Sequence, residues 1–422
     1  MHLQVESAII VIFAKYNIID FGLRAVLLIP KFNDNHPKIK TRLLKALGIT
    51  LLAFALSFIL MQPFSFSAAS LLSSSDGNDF TINDFYNKVA DSRHVATLDS
   101  NIVVVDIAES DRDGIAEILE TIALCGPRAV GLDVLFSDPR EGDERLIEAV
   151  RNCPNIVLAV AVKKAPGTDR FTIDEQTYFT DSLGDVQIGA INFPTQHTNR
   201  TIREFRPDYT GEDGEDIPSF ALALSEMNST DTHNTGIFRA RGNEYETIRY
   251  YSRIFKTFTP DNLIQHAEEL SDKIVMIGAI GDPGDIHATP VTASMPGILI
   301  HAHATATILS GSYFYQLHKY ANWAIAFISC FVVILLSLSL NLGIKGLLLR
   351  IIQVGLLYLS IRIGYYFFIE HDVIINFSYT LLMLTFGLFA CDIWIGFTTI
   401  FRWIAGLFAK PDKSKANNIY IR

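Results

Sequence analysis

The chain has 422 residues, 49% hydrophobic and 19% charged, with a formal net charge of −10 and a mean hydropathy of +0.26. A soluble chain carries roughly 25% charged residues, so long apolar runs must sit beside an ordinary globular part. Disorder, a disulfide-rich secreted scaffold and a purely soluble enzyme are all disfavoured. The charge is also split: Gln62 to Lys319 holds about 20 basic and 38 acidic residues, the remainder about 15 basic and 7 acidic. An acidic globule lacks the positive surface that displaces counterions from phosphates, so no nucleic-acid partner is expected.

In chain order, Ala8 to Pro30 is apolar but interrupted by Lys15, Asp20 and Arg24, each costing roughly 2.5–3.5 kcal/mol near a bilayer centre. Residues 1–42 therefore read as a cytoplasmic segment with an interfacial helix, a further span being the competing reading. Residues 43–61 follow Lys38, Lys40 and Arg42 and are long enough to cross about 30 Å of hydrocarbon. This run lies far from the N-terminus and exceeds a signal-peptide core, so it reads as an uncleaved anchor. Three further spans are expected at 320–340, 347–369 and 373–397. Lys38, Arg42, Lys345, Arg350, Arg402, Lys410 and Lys413 all fall on one side if the spans alternate. The positive-inside rule makes that side the cytoplasm, with both termini in it and the acidic globule, 76–318, outside. In the tail, 398–422, Phe401, Trp403, Ile404, Leu407 and Phe408 surround Arg402, which suits either an anchor on anionic lipid or a docking segment.

The globule alternates strands and helices. Strands are expected at Ile102 to Ile107, Ala129 to Phe136, Ile156 to Val162, Val186 to Phe193, Glu246 to Tyr251 and Lys273 to Ile280. Helices are expected at Ser110 to Leu124, Asp143 to Cys153, Ile217 to Met227 and Pro296 to Ser310. Ser110 and Asp113 have capping-box spacing at the first helix start. Continuously apolar strands separated by amphipathic helices predict an α/β fold with a mostly parallel sheet between helices. Cys125 and Cys153 close successive helices; helices pack about 8–10 Å apart, farther than bridged Cα atoms, so two buried thiols are expected rather than a disulfide.

The order of Asp106 in IVVVDI, Asp133 in AVGLDVLF, IPSFALAL at 217–224, IRYY at 248–251, KIVMIGAIGDPGDIHATP and MPGILIHAHATATILSG resembles the type-2 CHASE domain. This is the second class of extracellular sensory domains associated with cyclases and histidine kinases. The resemblance covers residues 80–312 and extends to one span before the domain and three after. It implies a sensory role, in a bacterial inner membrane with the domain periplasmic or extracellular. Relatives continue into an output domain after the last span, whereas about 25 residues follow Phe397 here; the output is then expected from a separate partner protein.

Asp106 and Asp133 fall near the C-terminal ends of parallel strands, the edge at which α/β folds bind ligands. Asp111, Asp138, Asp143, Asp282 and Asp285 could gather there and suit a hard cation, or cap turns and helix starts. The ligand-binding set is taken as Asp106, Asp133, Asp138, Asp282, Asp285 and His287. His287, His301 and His303 with Asp285 raise zinc, but residues two apart on a helix point to nearly opposite sides, and no metal or cofactor is assigned. No P-loop, GxSxG or HExxH motif occurs, and no enzyme activity is expected. Within the spans, Arg350 and Asp392 are read as an ion pair, and Arg362 as snorkelling to the interface. The sequence thus points to a membrane-anchored sensor that binds an unknown ligand or protein and relays the event through its spans. Alternatives are a structural subunit of an envelope complex and an enzyme using the acidic rim; homo-oligomerisation stays open.

Overall fold

The computed structural model describes residues 36–64, 81–194, 201–227, 232–339 and 345–408; the expected interfacial segment at 8–30 lies outside them. These residues fall into two compact units, one drawn from 58–326 and 354–382, the other from 1–57, 327–353 and 383–422.

The first unit is the α/β fold. Helix α1 (His36–Phe64) falls mostly in the second unit; in chain order the first unit then places α2 (Ile82–Arg93), β1 (Thr97–Asp106), α3 (Arg112–Leu124), β2 (Ala129–Asp133), α4 (Asp143–Asn152), β3 (Ile156–Lys164), β4 (Phe171–Gln176) and β5 (Gln187–Ala190). There follow β6 (Glu204–Phe205), β7 (Asp208–Thr210), β8 (Asp216–Pro218), α5 (Phe220–Glu226), α6 (Thr232–Arg241), β9 (Glu246–Thr247), β10 (Arg253–Phe258) and β11 (Ile274–Gly278). A hairpin of β12 (Ile286–His287) and β13 (Met295–Pro296) then leads into α7 (Gly297–Leu309) and β14 (Tyr315–Gln316).

The central sheet has seven strands in the order β10-β1-β11-β2-β3-β4, with β5 also pairing β3. All neighbours are parallel except β3 and β4. Strand side chains alternate between faces, and both faces are covered. On one, Val103, Val105, Val130, Leu132, Val275 and Ile277 pack on Ile115, Leu119, Ile122, Leu146 and Val150 of α3 and α4. On the other, Ile102, Val104, Val157, Ile274 and Met276 pack on Phe220 and Leu224 of α5 and Ile298 and Ala302 of α7. Gly131 lets α5 approach: a Cβ there would stand 2.7 Å from the Phe220 ring and 2.8 Å from Leu224.

Several boundaries differ from the sequence reading for local reasons. The start of α3 is capped by Asp111, whose carboxylate accepts from Gly114 N at 2.9 Å, rather than by a Ser110 capping box. The helix expected from Ile217 begins at Phe220, because Asp216–Pro218 pairs with β7 and Ser219 then caps the helix through Leu222 N at 3.2 Å. The strand expected over Glu246 to Tyr251 shrinks to two residues, and the edge of the sheet is instead Arg253–Phe258, which carries Arg253 and Lys256 among apolar residues.

Among the described residues three helices are long and apolar enough to cross a membrane: Lys319–Leu338, Arg350–Glu370 and Ser378–Ile404. They belong to α8 (Lys319–Ser339), α9 (Lys345–Glu370) and α10 (Ser378–Phe408). Val373 and Ile374, read from sequence as the start of the last span, form a strand, β15, parallel to β14. In the second unit, Arg350 Nη2 lies 3.5 Å from Asp392 Oδ2. Arg350 Nη1 donates to Gln353 Oε1 at 3.0 Å, and Gln353 donates on to the Leu384 carbonyl at 3.0 Å. Phe54 of α1 meets Phe327 of α8 at a centroid separation of 5.4 Å.

Candidate functional site

The parallel sheet brings two aspartates to one level. Asp106 and Asp133 both pair in register with Gly278 of the strand between them, which sets them about 9–10 Å apart at the usual strand spacing. Their surroundings differ. Asp106 Oδ1 accepts from Ala108 N and Ile280 N, both at 3.0 Å, and so ties the ends of β1 and β11 together. Asp133 makes no side-chain hydrogen bond among the described residues, and burial together with the nearby negative Asp285 pushes its pKa up to about 7.

Asp285 sits where the chain turns into α7. Its Oδ2 accepts from Gly297 N at 3.2 Å and its Oδ1 faces His287 Nε2 at 3.0 Å. Unsatisfied N–H groups and a partial positive charge make a helix start a stable place for a carboxylate. The present placement of Asp285 needs glycine at 297, since a Cβ would lie 2.4 Å from Asp285 Oδ1 and displace it. The His287 ring stands edge-on to Phe193 at 5.5 Å, and His301, one turn into α7, stacks on the same Phe193 at 4.5 Å. Burial lowers the His301 pKa to about 4, so this ring is neutral at pH 7. His303 points elsewhere, against Tyr250 at 5.2 Å and Phe255 at 4.9 Å. Among the described residues no group of three or more His, Cys, Asp and Glu is placed to hold a metal ion.

The structure thus gathers Asp133, Asp285 and His287, joined by His301 and Phe193, and engages the other acids in contacts away from them. Asp282 accepts from Gly284 N at 2.8 Å. Asp138 contributes its carbonyl, which accepts from Arg112 Nη2 at 3.0 Å, while Arg112 Nη1 meets Asp143 Oδ1 at 3.0 Å. Cys125 and Cys153 are free thiols, and burial raises the Cys153 pKa to about 12.

Sequence reasoning missed a second structural feature, a clamp between the α/β fold and the turn joining α9 to α10. Tyr315 pairs with Val373 and Gln316 with Ile374, and Tyr315 N donates to the Asp372 carbonyl at 2.7 Å. The Asp372 carboxylate pairs with Arg249, whose guanidinium lies over the Phe314 ring at 4.6 Å. Tyr86, Tyr251, Phe314 and Phe368 form one aromatic cluster beside it. The only local signal was IRYY at 248–251; its partners lie about 120 residues away, beyond the reach of any spacing rule.

The structure is thus a mixed α/β domain, with a doubly covered and mostly parallel sheet, accompanied by helices long and apolar enough to cross a membrane. The CHASE2 domain model matches residues 52–340. The chain belongs to that family of extracellular sensory domains. No curated protein and no solved structure matches the chain.

Proposed function

We propose that the protein is a multi-pass membrane sensor, anchored before the domain by α1 and after it by α8, α9 and α10, with the α/β unit outside the cytoplasm. A small ligand or a protein binds at the sheet edge around Asp133, Asp285 and His287. The event passes along α7 to β14, and from β14 through β15 and Asp372 to the apolar helices, which bias a separate partner protein.

The observation that carries this reading is the clamp. A domain merely tethered near a membrane needs only a flexible linker, whereas here β14 pairs with β15 between two apolar helices and Arg249 holds Asp372. Helix α7 connects the two features: its first residue donates to Asp285, and its last residue is six positions before Tyr315.

A thermal-shift screen of small molecules on the full-length protein in mild detergent tests the binding half. A hit should lose its stabilising effect in an Asp285→Asn, His287→Ala variant that remains folded. An unchanged shift in that variant would move the ligand site elsewhere. For the relay, purification in mild detergent should recover a stoichiometric companion protein. A homogeneous chain that is fully functional alone in reconstituted membranes would sink that half.

A further inference from the structure

Helix α9 has 26 residues, about 39 Å at 1.5 Å per residue, and by hydropathy alone Arg350–Glu370 would cross a membrane. One face of its last turns, however, is covered by protein. Helix α2 lays Tyr86 across Gly364, where a Cβ would stand 2.2 Å from the Tyr86 hydroxyl and 3.0 Å from the Phe377 ring. The Tyr86 ring also meets Tyr365 at 6.2 Å and Phe368 at 5.8 Å, and Ile82 and Ile361 join the same cluster.

The side chains of α2 do not suit hydrocarbon. Asp84 receives both arms of the Arg203 guanidinium, at 2.8 and 2.7 Å, and the amides Asn83 and Asn87 lie on either side of Tyr86. Groups of this kind are costly at membrane depth. On α9 itself, Arg362 is exposed and has no ion-pair or hydrogen-bond partner among the described residues. Neighbouring chain marks the same level. Phe377, which meets Gly364, immediately precedes α10, and Trp323 near the start of α8 packs on Tyr379 at 5.1 Å. Aromatic rings concentrate at the headgroup level of a bilayer.

We propose that the outer edge of the hydrocarbon lies at Arg362, about 12 Å short of the end of α9, and that this face binds phospholipid headgroups. The Arg362 guanidinium sits among lipid phosphates, and α2 rests on the headgroup layer through its exposed Phe85 and Lys88. The turns after Arg362 form a protein-covered stalk in water, and the clamp at Asp372 stands clear of the bilayer. Lys345 to Ile361 then supplies about 17 residues, the short end of the range that spans hydrocarbon, with Arg350 inside that range and paired to Asp392. The proposal rests on the reading of α8, α9 and α10 as membrane spans.

Tyr358, Arg362 and Tyr366 lie four residues apart on the exposed face of α9, the two tyrosines 64% and 41% exposed. The full-length protein, with its four native cysteines replaced by alanine, would carry a nitroxide at one of these positions in phosphatidylethanolamine–phosphatidylglycerol vesicles. Collision with oxygen against a water-soluble nickel chelate should favour oxygen at Tyr358→Cys, balance at Arg362→Cys and favour nickel at Tyr366→Cys. An oxygen-favoured signal at all three would overturn the proposal. If the cysteine-free background does not fold, labelling of Tyr366→Cys by an impermeant maleimide in the native background, read by peptide mass, decides the same question: modification supports it, protection overturns it. Ser182→Cys serves as the control for orientation, the fraction of it that reacts setting the fraction of Tyr366→Cys that must react for the proposal to stand.

Discussion

Asp133 carries the most distinctive electrostatics in the α/β unit, and its consequences can be signed. Its folded pKa, about 7, stands above the ordinary 3.8, so the folded state keeps a proton that the unfolded chain gives up. Stability from this group is therefore present below about pH 4 and lost as pH rises through 7, by on the order of 2–4 kcal/mol. His301 works in the opposite direction: its pKa falls from 6.5 to about 4, so its contribution is present above 6.5 and lost as pH falls. Asp133→Asn should remove the downward slope, leaving stability that rises from pH 4 to 6.5 in urea titrations. A variant with the parent pH profile would show that Asp133 is an ordinary solvated acid. Gly297→Ala should push Asp285 off the α7 start, given the 2.4 Å clearance, and lower stability by about 1–2 kcal/mol through loss of the cap, measured as a drop in Tm.

Each element of the sheet depends on close approach to its covering helices. Gly131→Ala would force the Phe220 ring and Leu224 apart from β2, and overpacking of this kind costs about 1–3 kcal/mol. The expected result is a lower denaturation midpoint with an unchanged m-value. The clamp behaves differently, because Arg249 and Asp372 are 14% and 37% exposed and the isolated ion pair contributes only about 1 kcal/mol or less. Asp372→Asn, which also tolerates the left-handed backbone found here (φ 53°), should therefore leave the fold nearly as stable while loosening β14 from β15. A flexible Gly/Ser stretch inserted after Gly311, upstream of β14, should uncouple binding from any partner response. Unchanged signalling in the insertion variant would instead favour a purely structural role for the spans.

For the whole molecule the proposed topology follows from one-sided basic flanks. Cysteine labels at Ser182 and Ser414 should react from outside and inside the cell respectively, and reaction of both from one side would defeat the four-span arrangement. The tail is a second whole-molecule matter. Trp403→Ala with Phe408→Ala should weaken membrane or partner attachment, and only partner docking predicts loss of a co-purifying protein.

The sequence by itself determined the class of the molecule. Strand runs such as IVVV at 102–105 and IVMI at 274–277 are apolar at every position because both sheet faces are covered, and that pattern needs no distant information to read. The segments Lys319–Leu338 and Arg350–Glu370 were equally legible, since the hydropathy that marks a span is local. The aspartates at strand ends could be found but not ranked: Asp106 and Asp133 occupy the same position relative to Gly278, yet one is tied to two backbone N–H groups and the other is not. That difference depends on what Ile280 and Asp285, more than 140 residues onward, bring beside them. The edge strand Arg253–Phe258, the β14–β15 pair and the packing of Tyr86 on Gly364 were decided by the tertiary structure alone. Pairing energy resides in contacts between segments far apart in the chain, and a two-residue strand has no periodicity from which its partner could be inferred.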